Sequence, residues 1–439
     1  MISSMSGHDR CGEKAVHRTE GLGREDLVPK DDEARHSNDA VSENGKGEQG
    51  MRNTKFTSQR AAASSYSGVR EIFNLATQMD DVIHLDLGEP GFPTPQGIVE
   101  AAFEATRAGM THYSSTSGRE ELLIAIAAQL QEDLSVPFSR AQVVVTAGGM
   151  EALLLAFLAT LDNGDEVLLP SPHWPNYVPL LQLAGGVAKT VPLRSGSRFS
   201  LDLSSLAKSV SSRTRGVILT NPHNPTGMLV NDESLEELAR LAADHNLLVF
   251  SDEAYETIVY DRKRPSSIAS KPGMSERTVI IRSFSKSHAM TGWRIGYLAA
   301  PVAISSLASR LHENTSTCAS AVSQSAALAA LRTDQSIVIH MVNEYQKRRD
   351  VLIRTLDRIP RVGCCMPEGA FYAFADIHEF GIPSYEFSRQ LLEKAKVAVA
   401  PGSAFGKDGE GYVRISFSGS LESIEEGCAR IRHFCDLLS

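Results

Sequence analysis

Short runs of aliphatic and β-branched residues recur through the middle of the chain. They occupy residues 143–146, 166–170, 216–220, 247–251 and 278–282. Each is four to five residues long and ends in a Gly-, Pro- or Asn-rich break. Such runs fit strands buried on both faces. Helical spacing follows at 151–161 and 232–245, the second with an acidic start that suits the helix dipole. Strands alternating with helices predict an α/β fold with a mainly parallel sheet covered on both sides. Ligands of such sheets bind beyond the carboxyl ends of the strands. The unusual loops of this chain fall there.

On the amino-terminal side, Val69, Ile72, Phe73 and Ala76 have helical spacing, residues 82–87 read as a strand, and a helix is expected from 96 to about 108. Between them, Gly88-Glu-Pro-Gly-Phe-Pro-Thr-Pro95 predicts a rigid irregular loop. After residue 301 the rhythm changes. One long helical stretch is expected over 306–356, strands over 370–375, 397–400 and 412–417, and amphipathic helices over 384–396 and 421–438. Residues 1–59 show no period and few large apolar side chains, so they read as a disordered extension, with order beginning near 64 and Met51 a possible start of translation. The many acids there fit a transit peptide poorly. The expected divisions are 1–60 (extension), 61–100 (arm and part of a small domain), 101–305 (large domain) and 306–439 (linking helix and small α+β domain).

Composition narrows the function classes. The chain has 439 residues, 42% hydrophobic and 22% charged, values of an ordinary soluble protein. A net charge of −9 argues against nucleic acid or an anionic membrane as partner. No apolar run has the length of a membrane span or a secretory signal. The six cysteines show no C-x-x-C spacing, and a reduced cytoplasmic protein with no metal site is expected.

The chemistry centres on Lys286, just past the strand at 278–282 and among small hydroxyl residues. A lysine shielded from bulk water has a lowered pKa, and its neutral amine attacks carbonyls. Ser283 and Arg294 suit a phosphate. Together they point to a phosphorylated aldehyde, which pyridoxal phosphate is. Asp252 ends a strand and is placed to hold a pyridine nitrogen protonated. Asn224 and Tyr255 can hydrogen-bond a ring oxygen. Gly148, Gly149 and Met150 stand at a helix start that favours anions. Trp174 offers a ring to stack on, and Arg414 can clamp a carboxylate. Each also has a plainer reading taken singly, as a cap, a turn residue, a core aromatic or a salt bridge.

Taken together, Gly88-Glu-Pro-Gly-Phe-Pro-Thr-Pro95, His112-Tyr113-Ser-Ser-Thr-Ser-Gly118, Asn221-Pro-His-Asn-Pro-Thr-Gly227, Ser251-Asp-Glu-Ala-Tyr255, Ser283-Phe-Ser-Lys286 through Tyr297, Pro367-Glu-Gly-Ala-Phe-Tyr372, Pro401-Gly-Ser-Ala-Phe-Gly406 and Tyr412-Val-Arg-Ile-Ser416 resemble, in order, the signature blocks of class I/II aminotransferases. The resemblance covers residue 61 to the end. It implies a fold-type I pyridoxal-phosphate enzyme with a mainly parallel seven-stranded sheet. It implies that Lys286 carries the cofactor and moves the substrate proton, with Asp252 at the ring nitrogen and Asn224 and Tyr255 at the ring oxygen. Trp174 stacks on the ring, and Gly149, Met150, Ser283 and Arg294 hold the phosphate. Tyr113 reaches the phosphate of a neighbouring subunit, making a homodimer. Arg414 binds the substrate α-carboxylate beside the backbone of Gly88. The prokaryotic aspartate and aromatic branch is most similar. Its dicarboxylate-preferring members often carry Lys where this chain has Met150, so aromatic, neutral or broad-range amino acids are favoured, aspartate stays open, and 2-oxoglutarate is the expected acceptor. A lyase or synthase of the same fold and a regulatory aminotransferase-like domain are the alternatives; the second lacks a helix-turn-helix pattern.

Overall fold

The computed structural model describes residues 56–58, 61 and 67–438. The expectations for residues 1–55, for the onset of order near 64 and for translation from Met51 lie outside the described residues.

The strands are β1 (Ile83–His84), β2 (Val143–Thr146), β3 (Glu166–Ser171), β4 (Val187–Pro192), β5 (Thr214–Thr220), β6 (Leu248–Asp252), β7 (Thr278–Ser283), β8 (Gly296–Ala299), β9 (Gly363–Cys364), β10 (Tyr372–Asp376), β11 (Val397–Ala398), β12 (Ala400–Pro401) and β13 (Tyr412–Ser416). Seven form one sheet in the order β2-β8-β7-β6-β5-β3-β4. Only β8 runs antiparallel to its neighbours. The five sequence runs are its β2, β3, β5, β6 and β7. β2, β3 and β7 are buried at every position, which is why they read as unbroken apolar runs.

Two strands of the seven-stranded sheet were not foreseen. β4 lies at an edge, is largely uncovered and mixes Lys and Thr with Val. β8 is four residues long and straddles the end of the block after Lys286, where the motif hid its period. The helix Glu120–Leu134, with its buried Leu122, Ile126, Leu130 and Leu134, was also missed.

Three expectations need correction. The stretch 306–356 is three helices, Val302–Thr315, Ala321–Arg332 and Gln335–Leu356. Thr317 takes a left-handed φ of 64°, and Ser320 and Asp334 cap the second and third helices by accepting from Ser323 N–H and Ser336 N–H. Apolar spacing continues across these short breaks and hides them. The run 397–400 divides between β11, which pairs parallel with β1, and β12, which pairs with β13 in a four-stranded antiparallel sheet. The run 82–87 keeps only two paired residues, because its partner β11 is itself two residues long.

The helix Gly68–Ala76 buries Ile72 and Ala76 against Leu392 and Ala398, so it packs on the carboxyl-terminal region. Among the described residues no helix is long and apolar enough to cross a membrane. The functional groups gather where β5, β6 and β7 end.

Candidate active site

A cavity of about 450 Å³ opens beyond the carboxyl ends of these strands. Lys286 sits in the short helix Phe284–Ser287 directly after β7. Its Nζ donates to the carbonyl of Gly88, in the proline-rich loop. Burial pulls this amine down to about 8; Arg414 and Arg294 push the same way and Glu89 opposes them.

Asp252 is the last residue of β6 and only 7% exposed. Its Oδ2 accepts from the Tyr177 hydroxyl at 2.6 Å and its Oδ1 from Ala254 N–H at 3.2 Å. Burial pushes this carboxyl up to about 6, against those two donors, which pull it down. The Tyr177 hydroxyl also lies 2.7 Å from Thr220 Oγ1 at the end of β5. A buried acid with its charge this weakly compensated calls for a cationic or N–H partner in the cavity.

One corner of the cavity is built for an anion. The helix Gly149–Thr160 begins there, with Gly148 as its cap at φ 90°. A Cβ on Gly148 would lie 2.6 Å from Arg294 Nη2, so glycine lets the guanidinium cross the helix start. Arg294 is fixed by donating to Thr291 O at 3.0 Å and Ala147 O at 3.2 Å. The buried Ser283 caps the Lys286 helix, its hydroxyl 2.9 Å from that of Ser285. Helix dipole, hydroxyls and guanidinium converge here.

A second guanidinium, this one buried, also lines the cavity. Arg414, on β13 and 4% exposed, donates to Asn224 Oδ1 at 3.2 Å and to Asp86 O at 2.7 Å. Its guanidinium lies 4.2 Å from the Tyr372 ring centre, and its buried Nε has no partner. Tyr255 and Tyr372 share a hydrogen bond of 2.8 Å. A Cβ on Gly88 would come within 2.4 Å of the Tyr372 hydroxyl, so the loop approaches this closely only as glycine. Met150, 38% exposed, and Trp174, packed edge-on to Tyr177 at 5.2 Å, form a further wall.

The structure thus gathers Gly88, Gly149, Met150, Trp174, Asn224, Asp252, Tyr255, Ser283, Lys286, Arg294 and Arg414 around one cavity, with Gly148 against Arg294 at its edge. Tyr113 is not brought in: it is 86% exposed. Sequence reasoning missed Tyr177, Thr220 and Ser285 as site residues, although two of them stand in or beside loops it had marked, while Phe371-Tyr372 were expected near the substrate pocket from the family resemblance. A hydroxyl aimed at Asp252 has no sequence signal of its own.

These groups fit pyridoxal phosphate. A shielded lysine amine lines the cavity with a buried acid, a helix start with hydroxyls and a guanidinium suits an anion, and the unpartnered Arg414 Nε leaves room for a further acceptor.

The comparisons agree with this geometry. Residues 80–431 match the family "Aminotransferase class I and II". An aspartate aminotransferase of Pyrococcus abyssi is 42% identical over 83% of this chain and 94% of its own length. Aromatic-amino-acid aminotransferase 2 of Thermococcus litoralis is 40% identical over 85% and 97%. The crystal structure of an aromatic aminotransferase from Pyrococcus horikoshii superposes with a TM-score of 0.80 at 40% identity, covering 84% of this chain and 99% of that one. The chain belongs to the class I and II aminotransferases, as a fold-type I, pyridoxal-phosphate-dependent transaminase.

Proposed function

We propose that this transaminase takes its amino group from an aromatic or other neutral L-amino acid, within a broad range, and passes it to a 2-oxo acid such as 2-oxoglutarate. The observation that carries this is the wall formed by Val69, Met150, Leu153 and Trp174. The three cations lining the cavity among the described residues are Lys286, Arg294 and Arg414, and each is already engaged. A distal carboxylate against the apolar wall bears a desolvation cost of about 1–3 kcal/mol or more. Relatives named for aspartate and for aromatic substrates are about equally similar, so their names do not decide the matter. A panel of amino acids against several 2-oxo acids tests it. Phenylalanine, tyrosine or leucine is expected to exceed aspartate in kcat/KM by about tenfold or more; a preference for aspartate overturns the assignment.

When bound, pyridoxal phosphate supplies the sink for the electron pair left as the Cα–H bond breaks. In this reading Lys286 Nζ takes that proton and returns it on the far side of the transfer. A pKa near 8 leaves a useful fraction of neutral amine at neutral pH. Asp252 would accept a hydrogen bond from the protonated ring nitrogen, a partner that would favour its charged form. Asn224 and Tyr255 would hold the ring oxygen, and Trp174 would stack on the ring. Gly148, Gly149 and Met150 offer backbone around the helix start to the phosphate, together with Ser283 and Arg294. Arg414 clamps the α-carboxylate beside the Gly88 backbone. Residues 306–439 with 61–100 act as the smaller domain, closing on 101–305 to exclude water.

The reading includes a homodimer in the cytoplasm. Tyr113, Met110 and Phe103 are exposed apolar side chains on one stretch, which suits an interface, and the thiols at Cys318, Cys364, Cys365 and Cys428 suit a reducing compartment. If Tyr113 completes the neighbour's phosphate site, inactive Lys286→Ala subunits mixed with impaired Tyr113→Ala subunits regain activity, because one site per mixed dimer has both residues. No gain on mixing, with mixed dimers shown by mass, rejects the exchange.

A further inference from the structure

Behind the cavity, on the other face of the sheet, lies a cluster of charges that the transfer reaction does not use. Arg282 precedes Ser283 on β7 and is 6% exposed. Alternation along the strand sends Ser283 toward the phosphate corner and Arg282 away from it. Arg282 Nε donates to Glu253 Oε2 at 3.0 Å, and its Nη1 forms an ion pair with Asp133 of the helix Glu120–Leu134 at 2.5 Å. Glu253 follows Asp252, and its Oε1 also accepts from the hydroxyls of Ser251 and Ser267. Its backbone N–H donates to Ile281 O at 2.9 Å. The two strand ends that deliver Asp252 and Ser283 to the cavity are therefore tied to each other from behind.

A second cavity of about 130 Å³ adjoins this cluster, lined by Asp133, Glu256, Arg282, Ser287, His288 and Tyr297 among others. Three buried polar atoms near it, Glu256 Oε2, Thr257 Oγ1 and His288 Nε2, have no partner. Glu256 makes no hydrogen bond to Arg282. Burial pushes its carboxyl up to about 7, with the charges of Glu253 and Asp133 acting the same way and Arg282 opposing. Glu256 therefore feels the Arg282 charge without a hydrogen bond to it, whereas Glu253 and Asp133 hold the guanidinium.

We infer that Arg282, gripped by Glu253 and Asp133, is a positioning residue that fixes the Asp252–Tyr255 turn against the strand end bearing Ser283 and Lys286, and so sets the protonation equilibrium of the loaded site. This rests on the roles proposed above for Asp252 and Lys286. Slack between two groups that must meet one ligand costs rate steeply, because a misplacement of about 1 Å lowers turnover by about 100-fold.

The test is the holoenzyme carrying Glu253→Gln, which keeps shape and removes the charge opposite Arg282. The cofactor absorbance is titrated against pH, and kcat, KM and melting temperature are measured beside it. The inference expects the midpoint of the absorbance titration to move by about half a unit or more and kcat to fall about tenfold with KM nearly unchanged. Glu256→Gln is expected to leave kcat at pH 6 within about twofold, since it touches the same charges without gripping Arg282. A lowered melting temperature with an unmoved titration and unchanged kcat makes the cluster an ordinary buried ion pair and overturns the inference. Equal effects from Glu253→Gln and Glu256→Gln overturn it as well. If Glu253→Gln does not fold, Asp133→Asn carries the same criteria from the outer side of the guanidinium. Failure of the Lys286 assignment itself registers separately, as turnover by Lys286→Ala.

Discussion

Lys286→Ala is expected to abolish amino-group transfer, lowering kcat by about 10³-fold or more while leaving a folded protein that still takes up pyridoxal phosphate. Loss of a positioned general acid–base alone removes about 10²–10⁴-fold, and here the same amine also carries the cofactor in the proposed reading. The fold should tolerate the change. In the structure Lys286 Nζ makes one hydrogen bond, to Gly88 O, and an alanine at this half-buried position spares the cost of shielding an amine that burial already pulls down to about 8. The other holding groups stay: Asp252 on β6, Ser283 and Arg294 at the helix start, and Trp174. Two measurements separate the roles. Borohydride reduction and digestion should leave cofactor on the Lys286 peptide of the wild type and on no peptide of the variant. Gel filtration should still recover variant with cofactor absorbance. Near-normal turnover by Lys286→Ala refutes the assignment outright.

How much of this was legible without coordinates depended on what kind of force fixes each feature. β2, β3, β5, β6 and β7 announced themselves because burial on both faces leaves no room for polar residues. The loops at their ends stood out because Gly, Pro and Asn impose backbone shapes that a strand cannot take. β8 did not, because it is four residues long and its first two belong to a motif chosen for its chemistry. The helix breaks near Thr317 and Thr333 were invisible to an apolar period that runs on across them. In the site, residues carrying charge were readable: Asp252, Lys286, Arg294 and Arg414 are costly to bury without purpose. Tyr177 was not, since a buried tyrosine is common and its hydroxyl partners are set by distant strands. Arg282 shows the same limit. One residue from Ser283, it looks like part of an apolar run, and only the third dimension reveals that Glu253 and Asp133 meet it behind the sheet.

Arg414→Ala should weaken every amino acid and every 2-oxo acid alike, because the group it is proposed to clamp, the α-carboxylate, is common to all of them. The side chain is buried and pre-aimed: Nη1 and Nη2 are fixed by Asn224 Oδ1 and Asp86 O, the guanidinium lies against the Tyr372 ring, and Nε has no partner. Little ordering is therefore left to be done when a carboxylate arrives, and a charge-assisted contact of this kind contributes about 2–5 kcal/mol to binding. That corresponds to a loss in kcat/KM of about 30-fold to several thousandfold, appearing mainly as a raised KM. Part of the loss will come from Asn224 and Asp86, which lose their donor. Comparing each amino acid with its decarboxylated amine separates the two contributions. Damage to Asn224 and Asp86 penalises amine and amino acid equally, whereas a missing clamp penalises only the amino acid. The ratio of kcat/KM between phenylalanine and phenylethylamine should therefore collapse toward unity in the variant. A ratio that survives the substitution, or a loss confined to aspartate and glutamate, would move Arg414 from the α-carboxylate to the distal end of the substrate, and with it the apolar wall of Met150 and Trp174 would lose its claim to set the specificity.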